Sequence, residues 1–403
     1  ILKEAFKYSV LFLNLRHMRM SGSTIPPEFK AGIDEKLLNK TKEYQTEKTR
    51  FDFTLSLFNN VVVIMFIFAG LLDKYNSWIS SLDLPFLVSG WLFFMLLSYG
   101  DEILSIPFSL YSRFKIENRY GFNTMTTRLW VSDFIKSLLI STVMISLLIF
   151  AALFLIQWSP DYWWFWVWSF LLIYSIFIMY ISPYVIEPLF NKFTPVDNES
   201  LKDKIMRLAD KGGIHISRIQ KIDASRRSRH TNAYFTGIGR TKRIVLFDTL
   251  LDTMSHDELL AVLAHEIGHW KRKHLVKTMA LMEAFSLIAL YLSFRLVQGN
   301  LLLRLFNIRT DTLFVKLLIL AFLSGIITLP LRWLMNSFSR MYEREADRAS
   351  FELTENTEGI ASALVKLTKE NLSNLYPHPL YVALYYSHPP VLERIRYIRS
   401  LSR

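Results

Sequence analysis

No cysteine occurs among the 403 residues, which excludes disulfides, iron–sulfur clusters, thiolate zinc sites and a thiol nucleophile. Any bound metal must therefore be held by His, Asp or Glu. Charge is missing from long stretches: SLLISTVMISLLIFAALFLIQW (Ser137–Trp158) contains none, and a buried helix of a soluble protein does not explain several such segments. Low-complexity tracts and repeats with a period of about 20–50 residues are also absent, which excludes solenoid and propeller arrays. What fills the chain is apolar: 51% hydrophobic residues, 15% aromatics and a mean hydropathy of +0.24, above the usual values for soluble domains.

Six stretches, near 53–72, 85–105, 134–157, 162–182, 275–295 and 313–335, are long enough to span a hydrocarbon core of about 30 Å, which takes roughly 20 helical residues. Residue 1 is Ile rather than Met, and ILKEAFKYSVLFLNLR (Ile1–Arg16) reads as the end of a seventh span. The net charge of +12 is distributed as the positive-inside rule requires. Basic residues crowd the segments around 16–50, 113–128 and 191–277 and everything after Arg340, while the loops near 73–84, 158–161 and 298–312 carry few. The four basic segments are therefore expected in the cytoplasm and the N-terminus outside, with no role for nucleic acid. SPDYWWFWVW (Ser159–Trp168) reads as an aromatic belt at the opposite interface.

The expected organisation is membrane helices 1–5 over 1–190, a cytoplasmic region over 191–277, two more membrane helices over 278–338, and C-terminal helices over 339–403. Region 191–277 mixes an amphipathic helix (Glu199–Gly213) with strand-like runs such as RIVLFDTL (Arg243–Leu250). With 340–403 it should form one cytoplasmic domain.

The chemistry is concentrated in AVLAHEIGHW (Ala261–Trp270). A helix turns about 100° per residue, so positions four apart differ by only about 40° and aim two imidazoles at one point. His265 and His269 can thus share one zinc ion, with Glu266 offset by one residue, suited to act as general base on a water at the metal. The competing reading pairs Glu266 with Lys271 or Arg272 and leaves the histidines in a helix interface. His274, nine residues after His265, falls half a turn away on a continuous helix, and Arg272 and Leu275 stand where an HExxHxxGxxH pattern needs Gly and His. His274 is therefore set aside as a ligand. Downstream, SRMYEREADRAS (Ser339–Ser350) puts Glu343 and Asp347 on one helical face and turns Glu345 away. One of that pair can bind the metal while the other orients a ligand histidine.

HEIGHW, SRMYEREAD, RSRHTNAYFTG (Arg227–Gly237), KRIVLFDTL (Lys242–Leu250), ENRYGFN (Glu117–Asn123) and SHPPVLERI (Ser387–Ile395) together resemble the type 1 CAAX prenyl proteases, integral-membrane zinc metalloproteases of the sterile-24 type. The resemblance runs from STIPPEFK (Ser23–Lys30) to the C-terminus. It implies an α-helical integral membrane protein of about seven transmembrane helices enclosing a water-filled chamber, with a gluzincin-like α+β protease domain facing the cytoplasm of a bacterial inner membrane or an endoplasmic reticulum membrane. It assigns Glu343 as the third zinc ligand, Asp347 as support for a ligand histidine, Asn232 and Ala233 as the grip on substrate backbone, and His388 as stabiliser of the oxyanion. Arg394, in the same motif, would brace the site. His230 is read either as a contact to substrate or the active-site wall or as a structural hydrogen-bonding residue, and Arg340 as the partner of a carboxylate.

A chamber would also account for Asn59, Asn60, Asp101, Glu102 and Glu283 within the spans, although helix–helix hydrogen bonding competes as their explanation. The implied reaction is removal of the last three residues from prenylated CAAX proteins or peptides. The alternatives are quality-control proteolysis without a prenyl requirement, and a non-catalytic transporter or scaffold stabilised by structural zinc.

Overall fold

The computed structural model describes residues 2–22, 24–30, 32–237 and 242–402. Its principal helices are α1 (Leu2–Ser21), α2 (Glu35–Phe68), α3 (Phe86–Tyr120), α4 (Thr127–Trp158), α5 (Trp163–Phe190), α6 (His256–Lys271), α7 (His274–Val297), α8 (Leu313–Thr354), α9 (Thr357–Glu370) and α10 (Val391–Ser400). Their starts follow from capping: Asp34, Thr126 and Thr312 each accept a backbone N–H of the first turn of α2, α4 and α8. Helices α3 and α5 continue through π-helical turns at Ser112–Glu117 and Ser182–Ile186.

Among the described residues six helices, α2 to α5, α7 and α8, are long and apolar enough to cross a membrane. The expected seventh, α1, is 20 residues long but carries Lys3, Glu4, Lys7, Arg16 and Arg19 and does not qualify by itself.

Burial in these spans is confined to their ends. At one end Leu72, Ile79, Phe93, Leu153, Leu302, Phe314 and Ile319 pack together, beside Trp163, Val167 and Phe294. At the other end Tyr44 of α2 and Ile116 and Tyr120 of α3 pack with Phe122 and Leu372. Between the two, no residue is buried over 45–66 of α2, 96–111 of α3, 127–152 of α4, 168–181 of α5, 275–293 of α7 or 320–342 of α8. Two of the intramembrane polar groups make hydrogen bonds between helices: Asn60 donates to the Tyr8 hydroxyl at 3.1 Å, and the Glu283 carboxylate accepts from Ser175 at 3.5 Å. Asn59, Asp101 and Glu102 are exposed.

The sheet has strand order β1-β2-β4-β3, with β1 Phe193–Pro195, β2 Arg218–Ile222, β3 Ala233–Thr236 and β4 Arg243–Phe247. β4 pairs parallel with β2 and antiparallel with β3. Its run of Ile244, Val245 and Leu246 is fully buried, as a central strand covered on both faces requires. The strand stops at Phe247 rather than Leu250, because Asp248–Thr253 forms a short helix. The amphipathic helix spans Glu199–Lys211, its Leu201, Ile205 and Leu208 packed with β4 and with Leu263 and Ile267 of α6.

A seam of small residues sets the distance between α6 and α8. A Cβ at Gly268 would lie 2.8 Å from the Ala349 Cβ and 3.0 Å from the Ala346 Cα, so only glycine admits this approach. The Ser350 hydroxyl donates to the Ala261 carbonyl at 2.8 Å across the same seam. Helix α8 is unbroken at residue 339, so one rod carries both a membrane span and part of the site.

Candidate metal centre

Ser255 and Glu258 form a capping box that starts α6, and one turn of this helix then brings the His265 and His269 Nε2 atoms to 3.1 Å from each other. The close seam at Gly268 delivers Glu343 from α8: its Oε1 is 3.2 Å from His269 Nε2 and its Oε2 is 3.4 Å from His265 Nε2. One donor atom from each of the three residues lies within 4.8 Å of the others. Glu343 is buried, and its Oε2 accepts no hydrogen bond, although Arg394 Nη1 stands 3.4 Å away. Two imidazoles facing a carboxylate with an unsatisfied oxygen form a donor set that fits one divalent cation with an open position.

Each histidine is held from behind. His265 Nδ1 is 2.9 Å from Oδ1 of Asp347, which is fully buried and takes a bidentate pair of bonds from Arg394 at 2.6 and 3.0 Å. His269 Nδ1 is 2.9 Å from His274 Nδ1, and His274 Nε2 is 3.1 Å from Glu345 Oε2. A metal on His269 Nε2 would leave Nδ1 as the donor to His274, whose Nε2 then faces Glu345 as the next donor. Burial alone would depress the His265 pKa, but the carboxylates of Asp347 and Glu343 outweigh it and push it up to about 9. A metal must displace that proton to bind.

The structure thus separates the two carboxylates that share a helical face: Glu343 meets both histidines, while Asp347 stands behind one of them. Glu345 stays outside the cluster, as its position on the helix requires. His274 is outside the ligand set too, for a different reason than expected. The helix is not continuous there: α6 ends at Lys271, Lys273 takes a left-handed conformation (φ 55°) and His274 folds back against His269. Among the described residues Arg340 pairs with no carboxylate; it donates to the carbonyls of Val382, Ala383 and Tyr386 that end the Pro379–Tyr385 helix. Glu266 pairs with neither Lys271 nor Arg272; Arg272 instead lies 3.6 Å from Glu345.

Beside the cluster lies a cleft of about 220 Å³ lined by Asn232, Ala233, Glu266, His388 and Arg394, with Val262, Ile360 and Leu364 among its apolar walls. Among the described residues Glu266 makes no hydrogen bond or ion pair, which leaves its carboxylate available. Ala233 opens β3, an edge strand of the sheet, and Asn232 immediately precedes it. The Asn232 carbonyl accepts from Phe247 N at 3.1 Å, which anchors the inner side of the edge. His388, exposed at 60%, places Nε2 at 3.3 Å from Glu343 Oε1 and holds Ser387 Oγ at 2.9 Å through Nδ1. His230 lies behind this edge, stacked on Phe122 with ring centroids 4.3 Å apart, 2.7 Å from Asn371 Oδ1 and 3.5 Å from Glu117 Oε2.

Sequence reasoning missed the His274–Glu345 pair and the Glu117–His230–Asn371 brace. An imidazole five residues beyond the second ligand was a visible signal for the former. Nothing local in the sequence signals the latter, whose members lie 141 residues apart between His230 and Asn371.

Comparison with known proteins identifies the family. Residues 14–192 match a family described as CAAX prenyl protease N-terminal, five membrane helices, and residues 195–402 match peptidase family M48. A CAAX prenyl protease 1 homolog of Arabidopsis thaliana is 33% identical, covering 96% of this chain and 93% of its own. CAAX prenyl protease 1 of Saccharomyces cerevisiae is also 33% identical, over 97% and 92% of the two chains. The crystal structure of S. mikatae Ste24p superposes with a TM-score of 0.91 at 29% identity, covering 98% of this chain and 96% of that one. The chain, an integral-membrane metalloprotease, belongs to peptidase family M48, among the type 1 CAAX prenyl proteases.

Proposed function

We propose that this protein is a zinc endopeptidase that removes the C-terminal tripeptide, after the modified cysteine, from prenylated CAAX proteins or peptides. The observation that carries the proposal is the single cleft in which Glu266, the β3 edge and His388 border the His265–His269–Glu343 cluster. Those three residues hold the metal, with Asp347 and Arg394 fixing His265 from behind. A zinc ion held there supplies Lewis acidity to the scissile carbonyl.

The protein's own groups do the rest. Substrate lies extended along the outer edge of β3 at Asn232 and Ala233, displacing the Asn232 Oδ1 that accepts the Ala233 N–H at 2.9 Å, so recognition runs through main-chain hydrogen bonds. Glu266 accepts the proton of the attacking water and passes it to the leaving amine. His388 faces the charge that develops on the carbonyl oxygen, with Ser387 fixing its ring.

The spans would enclose a water-filled chamber, for which the absence of buried residues along the middle of all six is the support. A prenyl chain can then lie against apolar helices while the peptide reaches the metal. The basic segments favour a cytoplasmic catalytic domain, and α1 serves as the seventh span, in keeping with the five membrane helices of the matching N-terminal family.

The test is cleavage mapped by mass spectrometry on prenylated and unprenylated forms of one peptide, with a chelator control. The proposal expects chelator-sensitive release of the tripeptide from the prenylated form only. Equal cleavage of both forms would transfer the reading to quality-control proteolysis. Glu266→Gln should keep its metal and lose hydrolysis by about 10²–10⁴-fold; undiminished turnover would remove Glu266 from its role.

A further inference from the structure

A second cleft, away from the metal centre, lies where the membrane helices meet the sheet. It measures about 680 Å³ and is lined by Lys136 of α4, by the π-helical turn of α5 around Pro183 and Tyr184, and by Lys192, Arg218, Arg226, Arg227 and Arg243 around the sheet. Among the described residues no carboxylate lines it. Just outside, Asp133 takes Arg227 in a bidentate pair at 2.7 and 3.0 Å, Asp223 takes Arg226 at 3.1 Å, and Glu187 stands 3.7 Å from Arg243. Lys136, Lys192 and Arg218 have no carboxylate within ion-pair distance among the described residues, so the cleft keeps an excess of positive charge.

Arg243 shows that the cleft is built rather than incidental. It is 7% exposed, its guanidinium lies over the rings of Tyr184 and Phe193 at 5.1 and 5.0 Å, and it donates to the Pro183 carbonyl and to Gln220 Oε1. Its Nε is buried with no acceptor. A guanidinium sunk between two rings with a donor unsatisfied is costly unless an acceptor enters the cleft.

The surroundings indicate which acceptor. On the adjoining face of α4, Val131, Ile135 and Leu139 recur every four residues and are exposed, as are Val185 and Leu189 of α5. Apolar surface therefore runs from the mouth of the basic cleft along the membrane span. A free phosphate would use the cleft but not this surface; a phospholipid uses both, and basic pockets between membrane helices suit anionic headgroups.

We propose that this cleft binds the phosphate headgroup of an anionic phospholipid, held by Lys136, Lys192, Arg218 and Arg243, with its acyl chains over Val131, Ile135 and Leu139. The site is independent of the protease reading and involves none of its residues.

The test uses the full chain in nanodiscs of phosphatidylcholine alone or mixed with phosphatidylglycerol, followed by native mass spectrometry of retained lipid. The variants are Lys192→Glu with Arg218→Glu and the milder Lys192→Gln with Arg218→Gln, all at exposed positions. Lys36→Glu with Lys40→Glu, on the exposed start of α2, makes the same change in net charge elsewhere. The wild type should retain phosphatidylglycerol, both cleft variants should lose it by at least about tenfold, and the control pair should match the wild type. Equal loss in the control pair would reduce the effect to diffuse surface charge and overturn the proposal, as would no preference for phosphatidylglycerol in the wild type. Saturable binding of inorganic phosphate at the cleft, without retention of lipid, would overturn the lipid assignment in favour of a soluble anion.

Discussion

From Leu320 to Tyr342 helix α8 buries no residue, whereas the turns that follow bury Glu343, Ala346, Asp347, Ala349, Ser350 and Leu353. Secondary structure is the same in both parts, so the difference lies in side-chain size and partners. Small residues in the second part let α6 approach to contact distance at Gly268, while Ile326, Ile327 and Trp333 in the first part stand exposed. Close packing is placed where an anion and two imidazoles must converge without water. Along the span no such convergence is needed, and the helices meet through partly exposed contacts such as Tyr99–Thr142 at 2.9 Å and Trp91–Ser146 at 2.8 Å.

The sharpest way to break that contrast is to remove the group the packing delivers. Glu343→Ala should abolish stoichiometric metal binding, and Glu345→Ala, on the opposite face of the helix, should leave most of it, as read by elemental analysis of purified protein. The reverse ranking would overturn the geometry of the cluster. Next in size, Gly268→Val forces a side chain into the Ala346 backbone and should destabilise the protein by about 1–3 kcal/mol while weakening metal retention, measured by thermal unfolding with and without zinc. His274→Ala leaves the His269 ring without its hydrogen-bond acceptor and should lower metal affinity by about 10–100-fold, measured by competition with a chromophoric chelator. An unchanged affinity would reduce the Glu345–His274–His269 chain to packing. Smallest of all, Ile327→Ala in the open part of α8 should shift unfolding by less than about 0.5 kcal/mol; a loss typical of a core position would show that the span is packed after all.

Much of this was legible in the sequence because its signals are local. Hydropathy marks six spans without reference to contacts, and helical periodicity puts His265 beside His269 and Glu343 beside Asp347. Two physical facts lie beyond spacing. Which carboxylate faces the histidines is assigned in the sequence by the family resemblance alone, which names Glu343, because it depends on the approach of α8 to α6, set by what a Cβ at Gly268 would meet. The fold-back of His274 depends on a single left-handed residue, Lys273, in a segment that otherwise reads as unbroken helix. Arg340 shows a third limit: its long side chain finds helix-terminal carbonyls from Pro379–Tyr385, a tertiary contact that charge pairing along the sequence does not indicate.

Zinc-edge anomalous diffraction from protein never exposed to chelators reads the ligand set at the site itself. One ion per chain is expected, about 2.0–2.2 Å from the Nε2 atoms of His265 and His269 and from a carboxylate oxygen of Glu343. An ion ligated instead by His274 or Asp347, or no ion between these side chains, would contradict it.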